Sequence, residues 1–128
     1  MDQNTIENLS LKVFLKDQLV FASDGKWLYP LFDFEDYLRK NDFNVNELFV
    51  NDKVIGKAAV LLMARLGIRK LHGELMSNLA IDLCKKLEIN YGFTNKIPRI
   101  QCKTEELLLG VDDPEFAYQI LCKRANRC

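Results

Sequence analysis

Residues 48–87 decide the fold of this 128-residue chain: LFVNDKVIGKAAVLLMARLG at 48–67 runs directly into IRKLHGELMSNLAIDLCKKL at 68–87. The short apolar run at 48–50 is typical of a buried strand. Residues 54–66 are apolar on nearly every side, which a helix tolerates only where protein covers most of its surface. We therefore expect a central helix over 54–66, with one strand before it and another at 68–72.

The central helix is expected to end at Gly67, because glycine suits the left-handed cap of a helix. A strand, a crossover helix and a second strand form a unit that is right-handed in nearly all proteins and makes the two strands parallel. The C-terminal ends of both strands, and the helix starts that follow them, then lie along one edge of the sheet. This edge should bring residues 52–57 and 73–78 together.

The rest of the chain extends this unit in both directions. Leu75, Leu79, Leu83 and Leu87 recur every fourth residue and predict a second helix with an apolar stripe. Alternation, turn composition and proline positions predict the remaining elements. They are a short leading helix within 1–10, a hairpin over 11–22, a helix beginning at Pro30, a strand at 90–93, a short helix at 104–109 and a helix beginning at 113–115.

Length and charge limit the classes of function. A chain of 128 residues has the size of one ordinary domain, and we expect residues 1–128 to share one core. Eighteen basic and eighteen acidic residues cancel, so the chain has no overall field that would draw nucleic acid or an anionic membrane. We expect neither partner.

The N-terminus and the cysteines bear on location. The opening MDQNTIENLSLKVF lacks the basic start and apolar run of a signal peptide, and no apolar stretch approaches the ~20 residues that cross a bilayer. We therefore expect a cytoplasmic protein. Cys84, Cys102, Cys122 and Cys128 form no CxxC pair, so we expect buried structural cysteines rather than metal or redox sites. Cys84 and Cys122 fall within helical patterns, where a free thiol acts as a small apolar group.

Four segments carry a resemblance to a known family. They read SDGKWLYPL at 23–31, NDKVIGKAA at 51–59, SNLAIDL at 77–83 and GVDDPEFAY at 110–118. Through them the chain resembles a small uncharacterised prokaryotic family, a domain of unknown function within the cytidine deaminase-like fold superfamily. A hairpin, a helix, two strand-helix units and a further strand is also the order of elements in that fold. The resemblance implies an α/β domain with three layers, α-β-α, around a mixed sheet.

The residues that a zinc deaminase needs are missing. Such an enzyme places histidine and a nearby glutamate at the first helix start and Pro-Cys-x-x-Cys at the second. This chain has GKA at 56–58 and MSN at 76–78, and neither lysine nor serine is a ligand that zinc prefers. His72 and Glu74 spell H-x-E at the second junction, but no cysteine pair follows. We expect no metal and no cofactor, and we interpret His72 as a hydrogen-bonded residue at a strand end.

The predicted edge of the sheet is positive in character. Two helix starts offer unpaired backbone N–H groups, Gly56 permits close approach and Lys57 adds a charge. We therefore predict a site for a small anionic or nucleotide-like ligand. The residues of this site are Gly56, Lys57, Glu74, Ser77 and Asn78. The alternative interpretation of Lys57 is an exposed helix lysine that pairs with Asp52 or Asp82.

Three functions from different classes are consistent with this site. The first is a non-catalytic domain that binds such a ligand. The second is a metal-independent enzyme in which Lys57, with its pKa lowered by burial, is the electrophile or nucleophile and Glu74 the acid or base. The third is a structural or interaction protein with a vestigial pocket, whose aromatic surface around Trp27, Tyr29 and Phe32 makes a dimer. We rank them in that order and expect a homodimer, since the aromatic residues of 21–43 exceed what one helix and a hairpin need to bury.

Overall fold

A mixed sheet of five strands organises the fold in a computed structural model of the chain, which describes residues 9–100 and 102–128. The strands are β1 (Leu11–Leu15), β2 (Gln18–Ser23), β3 (Leu48–Ile55), β4 (Lys70–Ser77) and β5 (Asn90–Ile97). Their spatial order is β2-β1-β3-β4-β5. β1 is antiparallel to both of its neighbours, whereas β3, β4 and β5 are parallel. The α/β class and the mixed sheet predicted from the sequence are confirmed.

Helices connect the parallel strands and close the chain. They are α1 (Tyr29–Lys40), α2 (Lys57–Leu66), α3 (Asn78–Lys86), α4 (Lys103–Leu107) and α5 (Pro114–Arg124), with a 3-10 turn at Val45–Glu47. None of these helices has the length and apolarity needed to cross a membrane. The leading helix predicted within 1–10 falls almost entirely on residues outside the described part of the chain.

The helices share one face of the sheet. α1, α2 and α3 each join parallel strands in the same direction across the sheet, and right-handed crossovers place such helices on one side. α2 contacts α1, α3 and α5, so it lies at the centre of this helical layer. The three-layer prediction expected helices on the opposite face of the sheet as well, but no helix of residues 9–100 and 102–128 lies there.

Alternation along the central strands separates the core from the open face. Leu11, Val13, Leu48 and Val50 are completely buried beneath the helices. The side chains between them lie on the other face and are half-buried. The period of two is the pattern expected of a sheet that packs on one side.

Two predicted helix boundaries are confirmed. Pro30 lies in the first turn of α1, where its missing N–H costs no hydrogen bond. Gly67 ends α2 with a φ of 94°, the left-handed conformation that glycine adopts without strain. α5 begins at Pro114, directly after Asp113, although the Asp113 side chain makes no capping hydrogen bond.

Two other boundaries differ from the prediction. β3 continues through Val54 and Ile55, so α2 begins at Lys57 rather than at residue 54. β4 starts at Lys70 and runs to Ser77, so Leu75 belongs to a strand and not to the leucine stripe of a helix. The cause is that a buried parallel strand is as continuously apolar as a buried helix, and periodicity cannot separate them. Consequently the H-x-E tripeptide lies within β4, not at a helix start.

The cysteines differ in part from the buried structural residues that were expected. Cys122 is buried, but it forms a disulfide with Cys128. Cys84 is a buried free thiol, as expected, and burial raises its pKa to about 12. Cys102 is free and exposed. Of the two cysteines predicted to be free thiols in helices, Cys84 and Cys122, both are buried but only Cys84 is free.

Candidate functional site

A cavity of about 410 Å³ opens at the C-terminal end of β3, where α2 begins. Its walls come from five places: the residue before β1, the loop before α1, the end of β3, the first turn of α2 and the segment after β5. We call it the edge cavity. It is lined by Ser10, Gly25, Lys26, Trp27, Leu28, Asp52, Lys53, Val54, Gly56, Lys57, Ala58, Ala59, Ile100, Cys102, Thr104 and Glu105.

A buried carboxylate, Glu105, lies between the two helix starts. Its Oε1 accepts a hydrogen bond from Ser77 Oγ at 2.5 Å, and its Oε2 accepts one from the Ile100 N–H at 2.7 Å. A Cβ placed on Gly56 would come to 3.0 Å from Oε2. Gly56 therefore lacks a side chain where the carboxylate needs the space. The chain supplies its own anion at the edge where the sequence predicts an external one.

Ser77 and Asn78 stand at the start of α3. Ser77 is fully buried, and its Oγ accepts a hydrogen bond from the Ala80 N–H at 3.1 Å, which caps the helix. The same hydroxyl donates its proton to Glu105. Asn78 is exposed and does not line the edge cavity. Glu74 is likewise an exposed residue of β4 outside the lining.

Lys57 is a buried cation with partners from the chain. Its Nζ lies 2.8 Å from Asp112 Oδ1 and donates to the Leu109 carbonyl at 3.2 Å. The other oxygen of Asp112 is 2.6 Å from Lys86 Nζ. Hydrogen bonds from Lys57 and then from Lys86 lower the pKa of Asp112 to about 2. The interpretation of Lys57 as an exposed residue paired with Asp52 or Asp82 is wrong, because the segment after α4 brings Asp112 to it.

Asp52 is, with Glu105, one of two acidic residues of the cavity that the sequence prediction omitted from the site. It pairs in register with Leu11 and Gly73 and is half-buried on the helical side of the sheet. Burial raises its pKa to about 7, against the lowering effect of the Val54 and Lys53 N–H groups; the nearby charge of Glu74 adds to the rise. The sequence did contain a signal for this residue: Asp52 is a carboxylic acid that follows the buried Leu48 and Val50 at the next alternate position of the strand.

The mouth of the cavity combines aromatic and basic groups. Trp27 is 41% exposed and has a φ of 56°, a conformation that costs energy for a bulky residue. Its ring meets that of Tyr29 edge to face at 5.2 Å. Lys26 is exposed and Lys53 half-buried. Strain in a residue that lines a cavity is the kind of local cost that often accompanies a function.

His72 lies away from this cavity. Its Nε2 is 3.2 Å from Thr94 Oγ1 on the neighbouring strand β5. That contact agrees with the prediction of a hydrogen-bonded residue, but His72 lies within β4 (Lys70–Ser77) and not at a strand end. Across the described ranges, no three side chains of the metal-binding types His, Cys, Asp and Glu converge.

Comparison with known proteins places the chain in a family. The sequence pattern described as "TM1506: Domain of unknown function (DUF1893)" matches residues 4–124. The chain belongs to the DUF1893 family. The crystal structure of a DUF1893 family protein, TM1506 from Thermotoga maritima, is similar to it with 25% sequence identity and a TM-score of 0.79. The similarity covers 97% of this DUF1893 chain and 92% of the Thermotoga chain. No curated protein matches the DUF1893 chain.

Proposed function

We propose that this chain is a non-catalytic domain that binds a small nucleotide-like ligand in the edge cavity. The cavity itself carries the proposal. Its volume of about 410 Å³ falls in the range of small-molecule sites, and its walls include the apolar groups typical of them. It also lies beyond the carboxyl end of a parallel strand beside a helix start, which is where open α/β sheets bind their ligands.

The charges around the cavity support one orientation of such a ligand. Glu105 already occupies the space between the helix starts, and Lys57 is already paired with Asp112. A phosphate is therefore expected at the mouth, near Lys26 and Lys53, with the base inside. Trp27 at the rim offers an aromatic surface on which a planar base can stack. In the orientation inferred from the sequence, the anionic group lay at the helix starts; here it lies at the mouth of the cavity instead.

Two observations favour binding over a metal-independent reaction that uses Lys57 and Glu74. The Lys57 Nζ contacts the Asp112 carboxylate and donates to the Leu109 carbonyl, so it is engaged within the protein rather than directed at a substrate. Glu74 does not line the edge cavity, so the two side chains do not face one common space. A reaction that needs both groups has no shared site for its substrate.

We further propose that the DUF1893 chain belongs to the cytidine deaminase-like superfamily. The hairpin, the helix α1, the strand-helix units β3-α2 and β4-α3, and the strand β5 follow the order of elements in that fold. A cytoplasmic location also stays a prediction. The disulfide between Cys122 and Cys128 counts against a cytoplasmic location, because disulfides are rare in reducing compartments.

A homodimer remains a prediction. The exposed aromatic surface that could form its interface is smaller than the sequence implied. Phe32 is buried and packs against Tyr118 with ring centroids 6.2 Å apart, so it cannot contribute to a free aromatic surface. Phe21 packs against both Phe34 and Tyr37 with tilted rings whose centroids are 5.2 Å apart, so several of the aromatics that seemed in excess are used inside the protomer. Trp27 and Tyr29 remain exposed. Light scattering at tens of micromolar, on the wild type and on Tyr29→Ser, would test association through them.

The binding proposal is tested by a thermal-shift screen of nucleosides, nucleotides and inorganic phosphate, followed by calorimetry. Val54 is exposed and lines the cavity, so Val54→Phe should narrow its mouth and weaken binding of any hit about tenfold. Leu19→Phe is the matched control, since Leu19 is an exposed strand residue outside the lining. Equal affinities in the two variants would place the ligand elsewhere. A screen without a hit would favour a vestigial pocket.

A further inference from the structure

We infer that the inner part of the edge cavity recognises a planar ligand edge with two adjacent N–H donors, as found in guanine and in guanidines. This rests on the proposed function and names the class of ligand. Two acidic side chains, Asp52 and Glu105, line the cavity. In the described part of the chain, neither of them forms a salt bridge.

The hydrogen bonds of these carboxyl groups leave acceptor capacity unused. Each oxygen of Glu105 takes one bond, from Ser77 Oγ and from the Ile100 N–H. The N–H groups of Val54 and Lys53 lie close enough to Asp52 to lower its pKa, but the Lys53 N–H donates to the Ser10 carbonyl at 2.9 Å, so these groups do not saturate the Asp52 carboxyl. A carboxylate offers about four lone-pair positions. Asp52 is half-buried and can accept further protons from a ligand, whereas Glu105 is only 1% exposed and contributes negative charge to the wall. A ligand edge with N–H donors matches this wall, whereas an edge that presents acceptors does not.

Asp52 should make the binding of such a ligand depend on pH. Burial holds its pKa at about 7, so near neutrality about half of the molecules carry a proton there. Two N–H donors bind the ionised carboxylate, and the proton must leave when they bind. The charged or titratable groups around Asp52 come from every wall of the cavity. They are Lys53 on β3, Lys26 before α1, Lys57 on α2, and Cys102 and Glu105 after β5. Glu74 on β4 lies outside the lining but its charge also acts on Asp52.

The test compares guanosine, whose base has adjacent N–H donors, with adenosine, whose amino group stands beside a ring acceptor. Neither compound has a phosphate that would itself titrate near pH 6. Calorimetry should show guanosine binding at least tenfold more tightly than adenosine at pH 8. The affinity for guanosine should rise about tenfold from pH 6 to pH 8, because the carboxyl with a pKa near 7 goes from mostly protonated to mostly ionised.

Variants separate Asp52 from the rest of the surface. Asp52→Asn keeps the size of the side chain but places an amide donor against the ligand, so the affinity for guanosine should fall about tenfold at pH 8 and lose its pH dependence. Asp82→Asn, a change at an exposed residue of α3, should leave both properties unchanged. Proton release is measured independently in the wild type, from binding heats at pH 6.5 in two buffers of different ionisation enthalpy.

Each outcome decides the inference. Equal affinity for the two nucleosides, a flat pH profile, or binding without proton release would overturn it, and these results would leave the binding proposal standing. Absence of binding by both nucleosides and by every compound of the screen would remove both proposals. Preference for guanosine with proton release near neutral pH would support the inference, even if Asp52→Asn proved too unstable to measure.

Discussion

The carboxylate of Glu105 accepts a hydrogen bond from the hydroxyl of Ser77 across 28 residues of sequence, with Oγ and Oε1 2.5 Å apart. Ser77 also caps α3, and the other Glu105 oxygen lies beside Gly56 at the start of α2. One buried side chain thus holds the starts of two helices and the segment after β5 together. Negative charge at a helix start is favoured by the helix dipole, which gives Glu105 a structural role without any ligand.

Removing Glu105 should therefore destabilise the protein. In Glu105→Ala the Ser77 hydroxyl and the Ile100 N–H lose their acceptor, and unpaired buried donors cost roughly 1–3 kcal/mol each. We expect a loss of about 2–4 kcal/mol in the free energy of unfolding, measured by urea denaturation. Glu106→Ala, at an exposed residue of the same helix, is the control and should change stability by less than about 0.5 kcal/mol. Similar values for both variants would contradict the structural role.

The two lysines that share Asp112 provide a second comparison. Lys57 is buried, with 6% of its side chain exposed, whereas the Lys86 side chain is 63% exposed. Lys57→Ala removes a buried stem and leaves the Leu109 carbonyl without its donor, so it should cost roughly 2–4 kcal/mol. Lys86→Ala breaks a surface ion pair and should cost less than about 1 kcal/mol.

Thermal and urea unfolding of the two lysine variants give the comparison directly. Helix propensity alone would make Lys57→Ala harmless, because alanine is the better helix former. Packing of Asp112 and the Leu109 carbonyl onto Lys57 predicts the opposite. A Lys57→Ala variant as stable as the wild type would show that the buried ion pair contributes no net stability.

Local signals in the sequence predicted part of this fold well. Pro30 and Gly67 mark helix ends because each acts through its own backbone, and the structure confirms both. The boundary at Val54 was placed wrongly, since an apolar residue suits a buried strand and a buried helix equally. The assignment of Leu75 to a helix was wrong for the same reason, because its spacing from Leu79 fits a helical stripe by coincidence.

The candidate site depends on long-range contacts that no local pattern contains. Gly56 and Lys57 were assigned to it because they follow a strand, and both line the edge cavity. Glu105 and Asp112 arrive from the segments after β5, and nothing in the sequence specifies which carboxylate reaches which helix start. The edge of the sheet could be located from topology, whereas the charges that fill it could not.

The disulfide should contribute to stability and hold the C-terminus in place. Cys128 is bonded to Cys122 of α5, and between them Arg127 donates to the Phe32 carbonyl and pairs with Asp36 on α1. Reduction with a dithiol should lower the stability by roughly 2 kcal/mol, because the short closed loop restricts the unfolded chain. The measurement is the melting temperature with and without reductant.

Two serine variants control the disulfide experiment. Cys128→Ser should melt at the temperature of the reduced wild type and should not respond to reductant. Cys102→Ser removes an exposed free thiol and should behave as the wild type in both conditions. A melting temperature that reductant leaves unchanged would mean that the bond contributes nothing, or that it does not form in solution; mass analysis after alkylation separates these two cases.

The last prediction concerns the dependence of stability on pH. The pKa of Asp52 is about 7 in the folded protein and near 3.8 when exposed, so the folded state binds the proton more tightly. Stability from this group is therefore fully present below about pH 4, falls as the pH rises toward 7, and levels off above that value. The slope cannot exceed about 1.4 kcal/mol per pH unit.

Asp112 acts in the opposite direction and at lower pH. Its pKa is lowered to about 2, so its contribution is present above about pH 4 and is lost as the pH falls toward 2. Between pH 5 and pH 8 Asp112 does not titrate, so any change in stability with pH that this pair of carboxyl groups causes in that range comes from Asp52.

Asp52→Asn should consequently gain stability relative to the wild type as the pH rises from 5 to 8. Urea denaturation of both proteins across this range measures the difference, and Asp82→Asn serves as the control. A difference that is constant with pH would mean that Asp52 has an ordinary pKa, and that protonation of this side chain does not influence the edge cavity near neutral pH.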